Sequence, residues 1–174
     1  MLSITDRITS FFFKMNKVDE WKKNSALTEL LFSHLTYFTE QIEMNHPNPP
    51  VVIFDIDDTL LDTGKFSKSF PLMDGFEPTI TLYNYLLDLG YHLIILTARR
   101  EERRHATEAN LKKLKIKNYD ELIMRKDSNE SFGKFKLRER KNLSKNYTII
   151  ANIGDQFSDF EGGYNGKIIK VPTF

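Results

Sequence analysis

Two aspartates stand two residues apart directly after an apolar run. The run Val51-Val52-Ile53-Phe54 leads into Asp55, and Asp57 follows after one intervening residue. β-Branched and aromatic residues predict a buried strand, and alternate residues of a strand point to the same side. The two carboxylates would therefore emerge together and repel one another unless a proton or a cation intervenes. A divalent cation accounts for the pair, although a strand followed by an acidic turn is the simpler interpretation of this motif alone.

The patterns around this run alternate between helices and strands. Apolar residues at helical spacing predict one helix within residues 20–44, preceded by a short helix or a partly loose segment within residues 1–19. Further strands are predicted at residues 92–97, 121–124, 147–153 and 167–171, and further helices at residues 78–90, 100–115 and 135–145. This alternation predicts an α/β fold, with a Rossmann-like parallel sheet of about five strands flanked by helices.

Polar residues recur where the predicted strands end. Thr97 ends the second strand, Asp155 follows the fourth, and Asp159 lies one helical turn further on. In open parallel sheets, ligands bind beyond the carboxyl ends of the strands. Carboxylate oxygens suit Mg²⁺, whereas zinc is disfavoured because the chain has no Cys and no His at a strand end. We therefore predict Mg²⁺ held by Asp55, Asp57 and Asp155, with Asp159 supporting Asp155 without contacting the ion itself.

A phosphate group beside this cation would need further positive charge. Lys134 and Lys136 lie just before or at the start of the predicted charged helix, and Thr97 offers a hydroxyl at the same edge of the sheet. The pattern then predicts that Asp55 attacks phosphorus and forms an aspartyl-phosphate. Asp57 would protonate the leaving oxygen and later act as base on the hydrolytic water.

Four short motifs resemble those of the haloacid dehalogenase-like (HAD) phosphatases. They are Asp55-Ile56-Asp57-Asp58-Thr59, Leu96-Thr97, Lys136, and Gly154-Asp155-Gln156-Phe157-Ser158-Asp159. The wider strings, from Leu96 to Glu102 and from Gly154 to Phe160, are similar to subfamily III and its branch of plant acid phosphatases, vegetative storage proteins and bacterial class B and C acid phosphatases. The resemblance covers about residues 50–173. It implies that Asp55 is the nucleophile, and that Asp57 is the acid/base whose backbone carbonyl also binds Mg²⁺.

The resemblance also bears on two positions that the residues leave open. It favours Lys136 over Lys134 as the phosphate-binding lysine, because the family pattern has an aromatic residue before the lysine and a leucine seven residues after it, as Phe135 and Leu143 do here. Arg99 is a predicted contact of the leaving group or of a carboxylate, with an exposed surface position as the alternative. The short connection at residues 62–77 implies a minimal cap and an open site.

Composition limits the partners. The chain has 174 residues and a net charge of +1, which gives no overall attraction to nucleic acid or membrane. No apolar stretch is long enough to span a bilayer and no export signal is recognised, so we expect a cytoplasmic protein without a membrane partner. A basic surplus within residues 112–145 is interpreted as a solvated face that could steer anionic substrates. Its members are Lys112, Lys113, Lys115, Lys117, Arg125, Lys126, Lys134, Arg138, Arg140 and Lys141.

These observations favour an enzyme over a binding protein. We expect one HAD-like domain over residues 1–174, with an N-terminal helical segment at 1–46 and a catalytic core at 50–173. The predicted function is Mg²⁺-dependent hydrolysis of a small phosphorylated metabolite, with nucleotides among the candidates. The basic surplus motivates a less favoured alternative, a phosphatase of nucleic-acid ends. A storage or binding protein that kept the fold is a third hypothesis, against which the presence of Asp55 argues.

Overall fold

The computed structural model describes residues 25–64, 72–126 and 129–172, and the helix predicted within residues 1–19 lies outside these ranges. The strands are β1 (Pro50–Phe54), β2 (His92–Arg100), β3 (Glu121–Arg125), β4 (Thr148–Gly154) and β5 (Lys167–Lys170). The α-helices are α1 (Ser25–Phe32), α2 (Leu35–Glu43), α3 (Glu77–Leu89), α4 (Arg104–Lys113) and α5 (Phe132–Leu143). Two short 3-10 helices, Glu101–Arg103 and Phe157–Asp159, precede α4 and follow β4. No helix in the described ranges has the length and apolar character needed to cross a membrane.

All five strands form one parallel sheet in the order β3-β2-β1-β4-β5. This arrangement confirms the predicted α/β fold. β1 occupies the centre, between β2 and β4. Its apolar side chains are buried on both faces of the sheet, as a central position requires. The segments that follow β1, β2 and β4 therefore meet at one edge of the sheet.

The alternation of side chains along β1 separates two apolar clusters. Val51 and Ile53 pack with Phe135 of α5, whereas the intervening side chains belong to the larger cluster formed with α2 and α3. Successive residues of a strand point to opposite faces. Asp55 continues the series of Val51 and Ile53, so its side chain lies on the face of the sheet that α5 covers.

The single helix predicted within residues 20–44 is wrong, because α1 and α2 are separate helices. The break falls at Ser33 and His34, where the hydroxyl of Ser33 donates to the carbonyl of Leu30 at 2.6 Å. A serine side chain that bonds a nearby carbonyl competes with the helical ladder. α2 is tied to the core from the other side, since the hydroxyl of Tyr91 donates to the carbonyl of Phe38 at 2.6 Å.

Two boundaries at the functional edge also differ from the predictions. β2 continues to Arg100, which pairs with Arg125 after an irregularity in the register, so Thr97 is not the last residue of its strand. α5 begins directly after Ser131, whose hydroxyl accepts the backbone N–H of Lys134 at 3.4 Å. A serine in this position starts a helix by satisfying a free N–H group. Both candidate lysines therefore lie within the first two turns of α5.

Candidate active site

Asp55 lies directly beyond the central strand and is almost completely buried. Its backbone N–H donates to the carbonyl of Ile153 at 2.9 Å, which extends the pairing of β1 with β4 by one residue. Its Oδ1 accepts the ammonium of Lys136 at 2.5 Å, and the same ammonium donates to Oδ1 of Asp159 at 2.5 Å. Lys136 is 3% exposed. A buried cation thus bridges two buried carboxylates.

Asp155 and Asp159 enter the site from the segment after β4. Both side chains are buried, and the side chain of Gln156 donates to Oδ2 of Asp155 at 2.5 Å. The backbone N–H of Gln156 donates to Oδ2 of Asp159 at 2.9 Å. One oxygen from each of Asp55, Asp155 and Asp159 lies within 4.8 Å of the other two. The site therefore contains three converging carboxylates and one ammonium.

Gly154 leaves room for the carboxylate of Asp159. A Cβ atom at this glycine would lie 2.7 Å from Cγ of Asp159, inside van der Waals contact. Asp159 has little freedom to retreat, because Lys136 and the N–H of Gln156 hold its two oxygens. The glycine is needed for the space it leaves.

We expect Gly154→Ala to lower kcat/KM for a phosphomonoester by about 100-fold, the scale of loss caused by a displacement of about 1 Å in an active site. The added methyl group would push Asp159 away from Lys136. Steady-state kinetics and circular dichroism of the variant test this. Gly64→Ala is the control, because a Cβ there meets Oδ1 of Asp62 at an ordinary 3.4 Å. Full activity in Gly154→Ala would show that the position of Asp159 does not matter.

Asp57 is held by Arg99. The guanidinium Nε donates to Oδ2 of Asp57 at 2.9 Å, and Nη2 donates to Oδ1 at 2.5 Å. The side chain of Arg99 is 13% exposed, and that of Asp57 is 41% exposed. A two-point contact of this kind fixes both the position and the orientation of the carboxylate. The structure thus places the guanidinium of Arg99 on a carboxylate, and its contact with a leaving group stays a prediction.

Thr97 and the first residues of α5 complete the wall of a small cavity of about 140 Å³. The hydroxyl of Thr97 accepts the backbone N–H of Arg99 at 3.1 Å, and the residue is buried. The cavity is lined by Asp55, Asp57, Asp58, Thr97, Ala98, Phe132, Lys136, Asp155, Gln156, Ser158 and Asp159. Lys136 lines this cavity, and Lys134 is exposed.

The electrostatics of the site are dominated by burial of like charges. Burial raises the pKa of Asp55 to about 7, against the lowering influence of the Lys136 ammonium. Burial also raises the pKa of Asp155. Burial lowers the pKa of Lys136, but the charges of Asp55 and Asp159 outweigh it and leave that pKa above its ordinary value. Three carboxylates against one ammonium leave an excess of negative charge that a cation would relieve.

The grouping of the aspartates differs from the predicted one in one respect. The sequence predicts that Asp57 is one of the carboxylates that contact the metal, and that Asp159 supports a metal ligand without contacting the ion. In the structure Asp55, Asp155 and Asp159 converge, while the carboxylate of Asp57 lies on Arg99. The predicted role of the Asp57 backbone carbonyl concerns a different atom and stays a prediction.

Three polar residues around the site were not singled out from the sequence. Gln156 contacts both neighbouring carboxylates, Asn152 donates to the carbonyl of Asp159 at 2.8 Å, and Arg140 is completely buried. The interpretation of Arg140 as part of a solvated face is therefore wrong, and Arg125 is also largely buried. An amide inside the apolar run of β4 was the available signal for Asn152, because buried polar side chains need partners.

The donor set fits Mg²⁺. All three converging ligands are carboxylates, which are the hard oxygen ligands that Mg²⁺ prefers. One oxygen of each carboxylate lies within 4.8 Å of the other two, so a single cation between them could be reached by all three. Asp55, Asp155 and Asp159 are thus the residues that could hold this ion.

Comparison with known proteins gives a family match over most of the chain. Residues 13–173 match the family described as HAD superfamily, subfamily IIIB (acid phosphatase). Vegetative storage protein 1 of Arabidopsis thaliana is 27% identical over 158 residues, which cover 79% of this chain and 58% of that protein. The chain spans only 35% to 58% of the length of three curated relatives that it matches.

Two solved structures share the fold. The class C acid phosphatase from Bacillus anthracis has a TM-score of 0.65 and 18% identity, and the match covers 98% of this chain and 85% of that one. A chain of the Pnkp1/Rnl/Hen1 RNA repair complex has a TM-score of 0.60 and 20% identity, with coverage of 75% and 44%. These likenesses confirm the predicted architecture.

Proposed function

Because this chain belongs to the acid phosphatases of the HAD superfamily, subfamily IIIB, we propose that it hydrolyses phosphomonoesters with Mg²⁺ and an aspartyl-phosphate intermediate. One observation carries the proposal. A buried carboxylate at the end of the central strand, Asp55, is paired with a buried ammonium and grouped with two further carboxylates. Such a group can receive a divalent cation and a phosphate dianion together, because the two ligands neutralise one another.

In the first step an oxygen of Asp55 attacks phosphorus, and the bond between phosphorus and the leaving oxygen breaks. Lys136 is already in contact with Asp55 and is placed to bind a phosphoryl oxygen as charge moves. The hydroxyl of Thr97 lines the same cavity and offers a second donor. When bound, Mg²⁺ supplies positive charge that lowers the repulsion between the carboxylate and the substrate.

Asp57 is the proposed acid and base. It gives a proton to the leaving oxygen, then takes one from the water that cleaves the aspartyl-phosphate and releases inorganic phosphate. The contact with Arg99 sets a condition on this role, because both Asp57 oxygens accept bonds from the guanidinium. Asp57 must part from at least one nitrogen of Arg99 when it approaches a leaving group. Arg99 is thus proposed to hold the ionised carboxylate of Asp57 in the resting site, and Asp57 takes up a proton from solvent as it leaves Arg99. The released Arg99 is proposed to contact the substrate.

The substrate is proposed to be a small phosphorylated molecule whose phosphate alone enters the cavity. A volume of about 140 Å³ is well below the roughly 300–1,000 Å³ of pockets that enclose a whole small ligand. The leaving group would therefore lie at the rim, and the site would accept several alcohols. Nucleotides are among the proposed substrates, because Phe132 lines the cavity, is 52% exposed and offers an aromatic ring to a base.

Phosphate release from a generic aryl phosphate tests the proposal. We expect turnover with Mg²⁺, no turnover after chelation with EDTA, and recovery when Mg²⁺ is returned. The same ion should raise the melting temperature of the protein without substrate, because a ligand at 100 times its Kd stabilises by about 2.7 kcal/mol. Undiminished turnover after exhaustive chelation would contradict the proposed requirement for Mg²⁺. The absence of turnover under every condition would contradict the proposed phosphatase function.

A phosphatase of nucleic-acid ends is the second candidate, and exposed aromatic rings beside cations favour it. Phe157 is 80% exposed, with the ammonium of Lys170 5.5 Å from its ring centre. The guanidinium of Arg125 lies 4.8 Å from the ring centre of Phe132. Rings and cations together bind single-stranded nucleic acids. Faster phosphate release from a phosphorylated oligonucleotide than from the matching mononucleotide would select this candidate, and the reverse would exclude it.

A further inference from the structure

Among the residues that the structure describes, Arg140 is the largest completely buried side chain, and its guanidinium donates to backbone oxygens. Its guanidinium donates to the carbonyl of Asp159 at 2.5 Å, to that of Gly163 at 3.1 Å and to that of Glu161. All three carbonyls belong to residues 159–163, here called the Asp159 loop. One side chain therefore fastens the whole loop to α5.

Arg140 and Lys136 act on the same residue from one face of α5. Residues four apart on a helix are neighbours on its surface. Lys136 bonds the carboxylate of Asp159, whereas Arg140 bonds its backbone carbonyl. Asp159 is thus held at both ends by two cations on successive turns of one helix. The main-chain contact limits where the carboxylate can swing.

Apart from Arg140, the Asp159 loop is held mainly at its first two residues, because Phe160 is buried and its carbonyl accepts the side-chain amide of Asn165 at 2.8 Å. The loop begins at the last residue of a 3-10 helix of three residues, and Gly162 and Gly163 have φ angles of +79° and +95°. Residues 161–163 are exposed, so their own side chains contribute little burial. Glycines at positive φ give a chain more freedom when it is not fastened. Asn152 adds a bond to the carbonyl of Asp159, but it contacts only that end of the loop.

We propose that Arg140 is a positioning residue for the site, which places Asp159 for metal and phosphate binding without touching either. The inference rests on the proposed function for what the site binds. The placement of Asp159 itself can be measured without any ligand. Removal of the guanidinium would leave three carbonyls without this donor, so the loop would shift and Asp159 would leave its place beside Asp155.

Two variants test the proposal. Arg140→Met keeps the aliphatic length and removes every donor, and Arg140→Lys keeps the charge with a single donor nitrogen. Hydrogen exchange of the Gln156 amide reports the position of Asp159, because that amide donates to its Oδ2. Isothermal titration with MgCl₂ reports cation binding. Arg138→Met is the matched control, since Arg138 is exposed on the same helix and pairs with Glu130.

We expect Arg140→Met to speed exchange at Gln156 and to weaken Mg²⁺ binding by about 10–100-fold, with Arg140→Lys intermediate and Arg138→Met unchanged. Tyr91→Phe serves as a destabilised reference far from the site, and it should leave both readouts unchanged. Unchanged exchange at Gln156, or unchanged Mg²⁺ binding beside faster exchange, would overturn the proposal. If the wild-type protein shows neither Mg²⁺ binding nor phosphatase activity, only the proposed function is overturned. The exchange rate of the Gln156 amide would still decide whether Arg140 positions Asp159.

Discussion

Replacing Asp55 by asparagine is expected to lower kcat for a phosphomonoester by at least about 10⁴-fold, the scale of loss when a covalent nucleophile is removed. An amide has nearly the shape of a carboxyl group but is a poor nucleophile, so phosphorus would not be attacked. The surrounding contacts argue that the fold survives, because Asp55 bonds β4 through its backbone N–H. Measured phosphate release at enzyme concentrations high enough to detect traces of wild type would check the result.

The same substitution should stabilise the metal-free protein at neutral pH. Burial raises the pKa of Asp55 to about 7, above the value of about 3.9 expected for an unfolded chain. Between these two values the folded state keeps a proton that the unfolded state releases, so the stability of the metal-free protein falls as pH rises. Asparagine does not titrate. At pH 8, the free energy of unfolding of Asp55→Asn should therefore exceed that of wild type by on the order of 2–4 kcal/mol.

Chemical denaturation at pH 5 and pH 8, with EDTA and with Mg²⁺, separates the two effects. The advantage of Asp55→Asn should be largest at pH 8 in EDTA and should shrink when Mg²⁺ compensates the wild-type charges. Residual activity above about 1% of wild type would contradict a nucleophilic Asp55. A variant that is less stable than wild type at pH 8 in EDTA would show that the Lys136 pair outweighs the burial of the charge.

The architecture could be predicted from the sequence because it depends on local patterns. The apolar run before Asp55 has the composition of a strand buried on both faces, and only a central strand of a parallel sheet is covered in that way. Once β1 is central, the chain ends of its neighbours must lie beside Asp55. Thr97 and Asp155 follow from this topology alone. The fold therefore brings these residues together without any detail of side-chain packing.

Such patterns could not predict that Asp159, and not Asp57, converges with Asp55 and Asp155. Strand alternation applies only as far as the strand itself, and β1 ends at Phe54. The chain then turns tightly, since the carbonyl of Ile56 accepts the N–H groups of Leu60 and Leu61, each at 2.9 Å. Asp58 adopts a φ of +54° in this turn. The orientation of Asp57 depends on this turn and on Arg99, which lies 42 residues away in sequence.

The burial of Arg140 could not be read from its neighbours, because its partners come much later in the chain. The helix that carries it is rich in charges, and a charged helix is usually solvated on most faces. The Asp159 loop, 19 to 23 residues further on, supplies the carbonyls that cover the guanidinium. The one local signal was the spacing from Lys136, since a residue four positions after a buried lysine shares its face.

Replacing Lys136 by methionine is expected to be the most destabilising single change at the site. Lys136 compensates Asp55 and Asp159, and removing one partner of a buried ion pair costs about 3–5 kcal/mol. Methionine matches the length of the lysine stem and removes only the ammonium. Activity should fall by roughly 10²–10³-fold, the loss seen when one electrostatic contact to a developing charge is removed. Thermal unfolding and kcat measured on the same preparations check both effects.

Lys134→Met is the matched control, and it decides between the two lysines that the sequence leaves open. Lys134 lies two residues earlier on α5 and is exposed, so its charge is solvated and its removal should change stability by less than about 0.5 kcal/mol. Mg²⁺ should restore part of the lost stability in Lys136→Met, because the cation replaces the missing charge between the same carboxylates. Equal losses of kcat in the two variants, or a larger loss of kcat in Lys134→Met, would show that Lys136 is not the lysine that binds phosphate.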